Sequence, residues 1–150
     1  MTKQLNKKGT SLVELIAVIV IMGIIAGIAI PTTIAVINRQ KKNAAIKSAE
    51  NVFTAAKELL LEAQSSGEID GVTAGGASDT FTYKTTAAAM VASGDLEKNP
   101  VDSNGSFTIM INSANKFSIS EASVVINKVT VYVINDASGN FSKFSTSNAS

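Results

Sequence analysis

Residues 12–30 read LVELIAVIVIMGIIAGIAI, an unbroken apolar run in which Glu14 is the one charged residue. As a helix, such a run reaches about 30 Å, the thickness of a bilayer's hydrocarbon core. A helix that is apolar on every side has no face for water, so it must lie in lipid or among other helices. Three details around the run need explaining: the lysines and glycine before it, the carboxylate inside it, and Pro31 at its end.

The segment before the run carries Lys3, Lys7 and Lys8 and no acid. A basic flank of this kind holds its end of an apolar helix on the cytoplasmic side. A secretory signal would be cut after the run at small residues spaced A-x-A, whereas residues 28–32 read IAIPT. A plain membrane anchor accounts for the lysines and the length. It leaves Glu14 unexplained, because a carboxylate within an apolar helix costs about 2–3 kcal/mol near the bilayer centre and less toward its edge. Such a group needs a partner, and the next basic residue along the chain is Arg39.

Lys7-Lys8-Gly9 followed by Thr10-Ser11-Leu12-Val13-Glu14-Leu15 resembles the processing site of type IV pilins and the related pseudopilins of type II secretion and DNA uptake. The resemblance implies a cut between Gly9 and Thr10 by a prepilin peptidase, with methylation of the new terminus. It places Glu14 at the family's glutamate, and Gly23 and Pro31 where many pilins carry glycine and proline. Many members begin their mature chain with Phe, where this chain has Thr10. The resemblance implies that Glu14 neutralises the Thr10 amine of a neighbouring subunit, a pairing that sets register more than it adds stability. Removing nine residues takes three of the thirteen basic side chains and leaves ten against twelve acidic, a formal charge of −2.

Pro31 kinks a helix without ending its pattern. Beyond it, Ile34, Ile37, Ala45, Ala49, Val52, Phe53, Ala56, Leu59, Leu60 and Ala63 recur at three- and four-residue spacing, the stripe of an amphipathic helix. Arg39, Lys41, Lys42, Lys47, Glu50, Lys57, Glu58 and Glu62 fill mainly the other faces. Residues 38–42 mark the exit from the membrane, as a solvated or headgroup-facing cluster. Ser65-Ser66-Gly67 stops the helix. Gly23, Gly27 and Pro31, four residues apart, allow close helix packing and also make this segment the easiest to unwind; both uses stay open.

Residues 67–80 read as loop, 81–85 as a short strand, and 86–92 as a short helix with Thr86 near its start. Asp102-Ser103-Asn104-Gly105 is a turn signal; a calcium loop would need more carboxylates at set spacings. Residues 106–112 alternate, with Phe107, Ile109 and Ile111 on one face, and 116–120 follow after a turn at 113–115. Residues 124–135 (VVINKVTVYVIN) form one β-branched stretch, and 141–144 a last edge strand before a frayed tail at 145–150. Short connections predict one antiparallel meander, covered by the stripe from Ala45 to Ala63. Aromatics are 5% of the chain, so the expected core is small and aliphatic.

The expected fold is therefore α+β: a long N-terminal transmembrane-to-amphipathic helix on a small C-terminal antiparallel sheet, which the resemblance identifies with the pilin fold. The divisions are a leader (1–9), a transmembrane or filament-core helix half (10–37), an amphipathic half (38–64) and a head (65–150). No Cys and no His leave no disulfide, no thiolate metal site and no imidazole base. A net charge of +1 points to no nucleic-acid partner. The chain reads as a non-enzyme with no cofactor and no metal site. The resemblance implies a homo-oligomeric helical filament, a fimbrium of the cell surface serving adhesion, motility or biofilm. It also implies as partners the prepilin peptidase, an assembly platform protein and, indirectly, an assembly ATPase. A pseudopilin of type II secretion or DNA uptake, and an unprocessed membrane-anchored surface domain, are the alternatives.

Overall fold

The computed structural model describes residues 11–75, 81–102 and 106–147, with the backbone alone at 29–32. The leader with Gly9 and Thr10, residues 103–105 of the expected turn and residues 148–150 of the expected tail lie outside the described residues. The chain divides into two compact units, Met1–Gln40 and Lys41–Ser150.

The first helix, α1, spans Leu12–Ser66 and is helical through Pro31. The proline withholds one N–H from the ladder, the one that would face the Gly27 carbonyl. Helix α1 stops where the serines and glycine predict. Gly67 takes φ 96°, a left-handed conformation that glycine adopts without strain. Its N–H donates to the Ala63 carbonyl at 2.9 Å. The Ser65 and Ser66 hydroxyls donate back to the Glu62 carbonyl.

In the unit Lys41–Ser150, one stripe of α1 is buried as its spacing predicts: Ala45, Ala49, Val52, Ala56, Leu59, Leu60 and Ala63. In the other unit, Ile34 and Ile37, counted in the same stripe from sequence, are exposed. Four strands make one antiparallel sheet in chain order: β1 (Val72–Ala74), β2 (Tyr83–Thr86), β3 (Thr108–Ile111) and β4 (Phe117–Ile119). Between β2 and β3 lies a short helix, α2 (Ala87–Ser93). Thr86 is its N-cap, its hydroxyl accepting from the Ala89 N–H at 3.1 Å. A second antiparallel sheet holds β5 (Ser123–Ile126), β6 (Val129–Asn135) and β7 (Phe141–Ser145).

Three expectations are corrected here. The single meander is two sheets, of four and three strands. The segment read wholly as loop contains β1, which pairs with β2 from Val72 opposite Thr85 to Ala74 opposite Tyr83; three residues with no clear alternation carry little strand signal. Most instructive is the β-branched stretch, which folds back on itself. Ile126 pairs with Val129, leaving Asn127-Lys128 as a two-residue turn at φ 50° and 64°. Two positive φ values in succession mark a type I′ hairpin turn, usually Asn-Gly, and a lysine in the second place hides the signal. The turn is pinned from outside: the Lys128 N–H donates to Asp102 Oδ2 at 2.9 Å.

Phe107, Ile109 and Ile111 of the β3 region are fully buried, the face that alternation predicts. They join Ala45, Ala49, Val52, Ala56, Leu59 and Leu60 of α1, Ala87 and Met90 of α2, Val101, Ile119, Val124, Ile126, Val131 and Phe144 in one core. That core is more aromatic than composition suggests. Phe53 of α1 meets Phe117 of β4 edge-on at 5.8 Å and Phe141 of β7 at 4.2 Å, while Phe144 reaches Phe107 at 5.9 Å. Few aromatics suffice because they are pooled where the helix meets both sheets.

Two substitutions test this packing in the detergent-solubilised full chain. Ile109→Ala, a deletion in a fully buried strand, should lower unfolding free energy by about 2–5 kcal/mol in urea titrations. Lys128→Gly should raise it by about 1 kcal/mol, because it relieves a left-handed conformation and keeps the backbone bond to Asp102; an unchanged or lower midpoint would contradict the turn assignment.

Candidate functional site

The feature that demands an external partner is the apolar part of α1. From Leu12 to Ile28 its side chains are exposed on all sides, Leu12 at 73% and Ile19 at 60%. By length and composition this helix can cross a membrane. A Cβ added at Gly23 or Gly27 would meet no atom within 4 Å. Among the described residues no neighbour outside the local helix backbone requires glycine at either position, and the space there is open.

Glu14 sits in the first turn of this helix. Its Oε2 accepts a hydrogen bond from the Ser11 backbone N–H at 2.9 Å, and the Ser11 carbonyl accepts from the Leu15 N–H at 3.1 Å. Ser11 is thus the N-cap residue and Glu14 the third helical residue reaching back, the carboxylate half of a capping box. The signature Ser-x-x-Glu is present in the sequence at 11–14. The membrane cost of the charge gives no hint of this local partner, which the Ser-x-x-Glu spacing alone signals. A carboxylate there also faces the positive end of the helix dipole. Gly9 and Thr10 lie outside the described residues. Gly23, Gly27 and Pro31 share one helix, as their spacing requires.

Several carboxylates of the head hold its turns and strand ends. Asp102 holds the Lys128 N–H, and Asp95 accepts from the Ser93 hydroxyl. Glu121 clamps the start of β3, taking the Thr108 N–H on one oxygen and the Ser106 hydroxyl on the other, each at 2.8 Å. Among the described residues no three His, Cys, Asp or Glu side chains are grouped to hold a metal ion. Two shallow grooves indent the head. One, of about 290 Å³, lies between Phe53 and the strand β7; another, of about 180 Å³, lies between Glu58, Glu62 and Asp95.

The clearest electrostatic perturbation is at the β6–β7 turn. Asp136 Oδ1 accepts from the backbone N–H groups of Asn140 and Ser138, each at 2.9 Å, and the Asn140 side-chain amide approaches both of its oxygens. The Asn140 backbone bond first, then its side chain, hold the Asp136 carboxyl below its ordinary 3.8.

Compared with known proteins, the chain matches no family model, no curated protein and no solved structure.

A carboxyl with a lowered folded-state pKa stabilises the fold above its unfolded value and loses that contribution as pH falls through the folded one. Asp136→Asn should therefore lower the urea midpoint at pH 7. The gap from the parent chain should close as the pH is taken below 3.8. Equal midpoints at pH 7 would show that the turn does not use the charge.

Proposed function

We propose that this chain is the precursor of a type IV pilin, a structural subunit with a pilin fold. It is cut after Gly9 and assembled through its N-terminal helix into a cell-surface filament. The observation that carries this is the exposed apolar helix with one carboxylate in its first turn, preceded by Lys7-Lys8-Gly9. An all-round apolar surface suits two successive environments: lipid before assembly and the helices of identical subunits afterwards. Both exclude water from the same side chains, so transfer between them exposes little apolar area. The open space at Gly23 and Gly27 suits close approach of a neighbouring helix. The core of the head, with a helix stripe against antiparallel sheets, suits a compact outer domain.

Cleavage between Gly9 and Thr10 would leave the Ser11 N–H an ordinary amide, so its bond to Glu14 can survive processing. A carboxylate with four lone-pair sites can hold that amide and still accept from an incoming Thr10 amine. The same bond favours a second reading, an unprocessed membrane-anchored domain, because it gives Glu14 a partner within its own chain.

The deciding measurement is intact mass and N-terminal sequence of material sheared from cells. A chain beginning at Thr10 in sheared fibres is expected, and Gly9→Leu should keep the leader and abolish the fibres. A processed chain confined to membranes would select a pseudopilin. A chain retaining Met1 and confined to membranes would select the plain anchor.

A further inference from the structure

Just beyond the apolar part of α1 comes a segment that neither the filament core nor the head uses. Residues 38–43 read NRQKKN, six consecutive polar side chains, all exposed. Three of them are cations, Arg39, Lys41 and Lys42. The chain has no acidic residue between Glu14 and Glu50, and Glu50 is already paired with Lys47 at 2.8 Å. Resting on the membrane-spanning part of the function above, we propose that Arg39, Lys41 and Lys42 form a collar that binds the anionic headgroups of the lipid surface at which α1 emerges.

Geometry and chemistry both favour lipid. At about 1.5 Å per residue, the helix from Leu12 to Arg39 is about 40 Å long, matching a bilayer with its headgroup layers, about 40–45 Å. At about 100° per residue the three cations spread over roughly 160° of the helix circumference, with Gln40 and Asn43 filling the remainder. The residues before the collar include the exposed, apolar Ile34, Val36 and Ile37. Apolar side chains below and long cationic ones at the boundary are what an interface between hydrocarbon and headgroups accommodates. A helix docking on protein needs apolar anchors at three- and four-residue spacing, and residues 38–43 offer none. The collar would hold a subunit waiting in the membrane at one depth, and salt-sensitive headgroup contacts would have to break as it leaves.

The test places the full, unprocessed chain in phosphatidylcholine vesicles carrying spin-labelled phosphatidylglycerol or phosphatidylcholine. Phosphatidylglycerol should enter the motionally restricted shell about two- to fivefold more than phosphatidylcholine at low salt, the preference vanishing near 1 M salt. Combined Arg39→Gln, Lys41→Gln and Lys42→Gln should lower it by about half, as should combined Lys3→Gln, Lys7→Gln and Lys8→Gln at the opposite surface. A preference lost only in the leader variant, or absent from the parent chain, overturns the collar. So does a collar variant that keeps its lipid preference but loses a self-association that Glu58→Gln with Glu62→Gln also removes, since that assigns the cations to a second copy. A chain that fails to co-float with vesicles overturns the membrane-spanning reading as well. Cleavage at Gly9 bears on none of these outcomes, so the two proposals fail separately.

Discussion

An apolar helix without a cover of its own cannot rest in water, and the organisation of this chain follows from that. Burying one leucine or isoleucine side chain is worth about 1.5–3 kcal/mol. Between Leu12 and Ile28 such side chains follow one another on every face of the helix, and all are exposed within the chain. The surroundings of that segment are therefore set from outside the molecule. The head completes its core with the far end of the same helix.

The head shows how one stripe of small residues can serve two sheets. Ala45, Ala49, Ala56 and Ala63 are buried at the helix surface. Alanine keeps the helix backbone close to what it packs on, while Val52, Leu59 and Leu60 fill the intervening space. Phe53 meets rings from β4 and β7, one strand of each sheet, so a single side chain ties both sheets to the helix. The turns are held by side chains acting on backbone: Asp102 on the Asn127-Lys128 turn, Asp136 on the β6–β7 turn, and Asn112 on the Ala114 and Lys116 N–H groups between β3 and β4. In a domain with no disulfide, such bonds take over the task of fixing loops.

In the proposed filament, Glu14 would combine a local role with a long-range one. In the isolated chain its carboxylate caps its own helix through the Ser11 amide. Capping requires no second subunit, and it also orients the carboxylate at the helix end, where an amine from elsewhere would be welcome. The capping bond lowers the membrane cost of the charge, and the amine of the proposed filament would lower it further. The proposed collar at Arg39, Lys41 and Lys42 would be the counterpart at the other end of the apolar segment, where cations suit the boundary.

Patterns with a short period were legible without any structure. The apolar run, the stripe from Ala45 to Ala63, the stop at Gly67, the Thr86 cap and the inward face of Phe107, Ile109 and Ile111 each depend on neighbours within a few residues, and each can be read from the sequence. What only the tertiary structure decided depends on distant partners. Whether residues 124–135 run straight or turn at Asn127-Lys128 rests on Asp102, some 26 residues away, and on the pairing of Val124 with Val131. Strand β1 exists because β2 offers it an edge, and the split into two sheets follows from pairings that no local pattern encodes. The pooling of Phe53, Phe117, Phe141 and Phe144 is of the same kind, since composition counts side chains but does not say which of them meet.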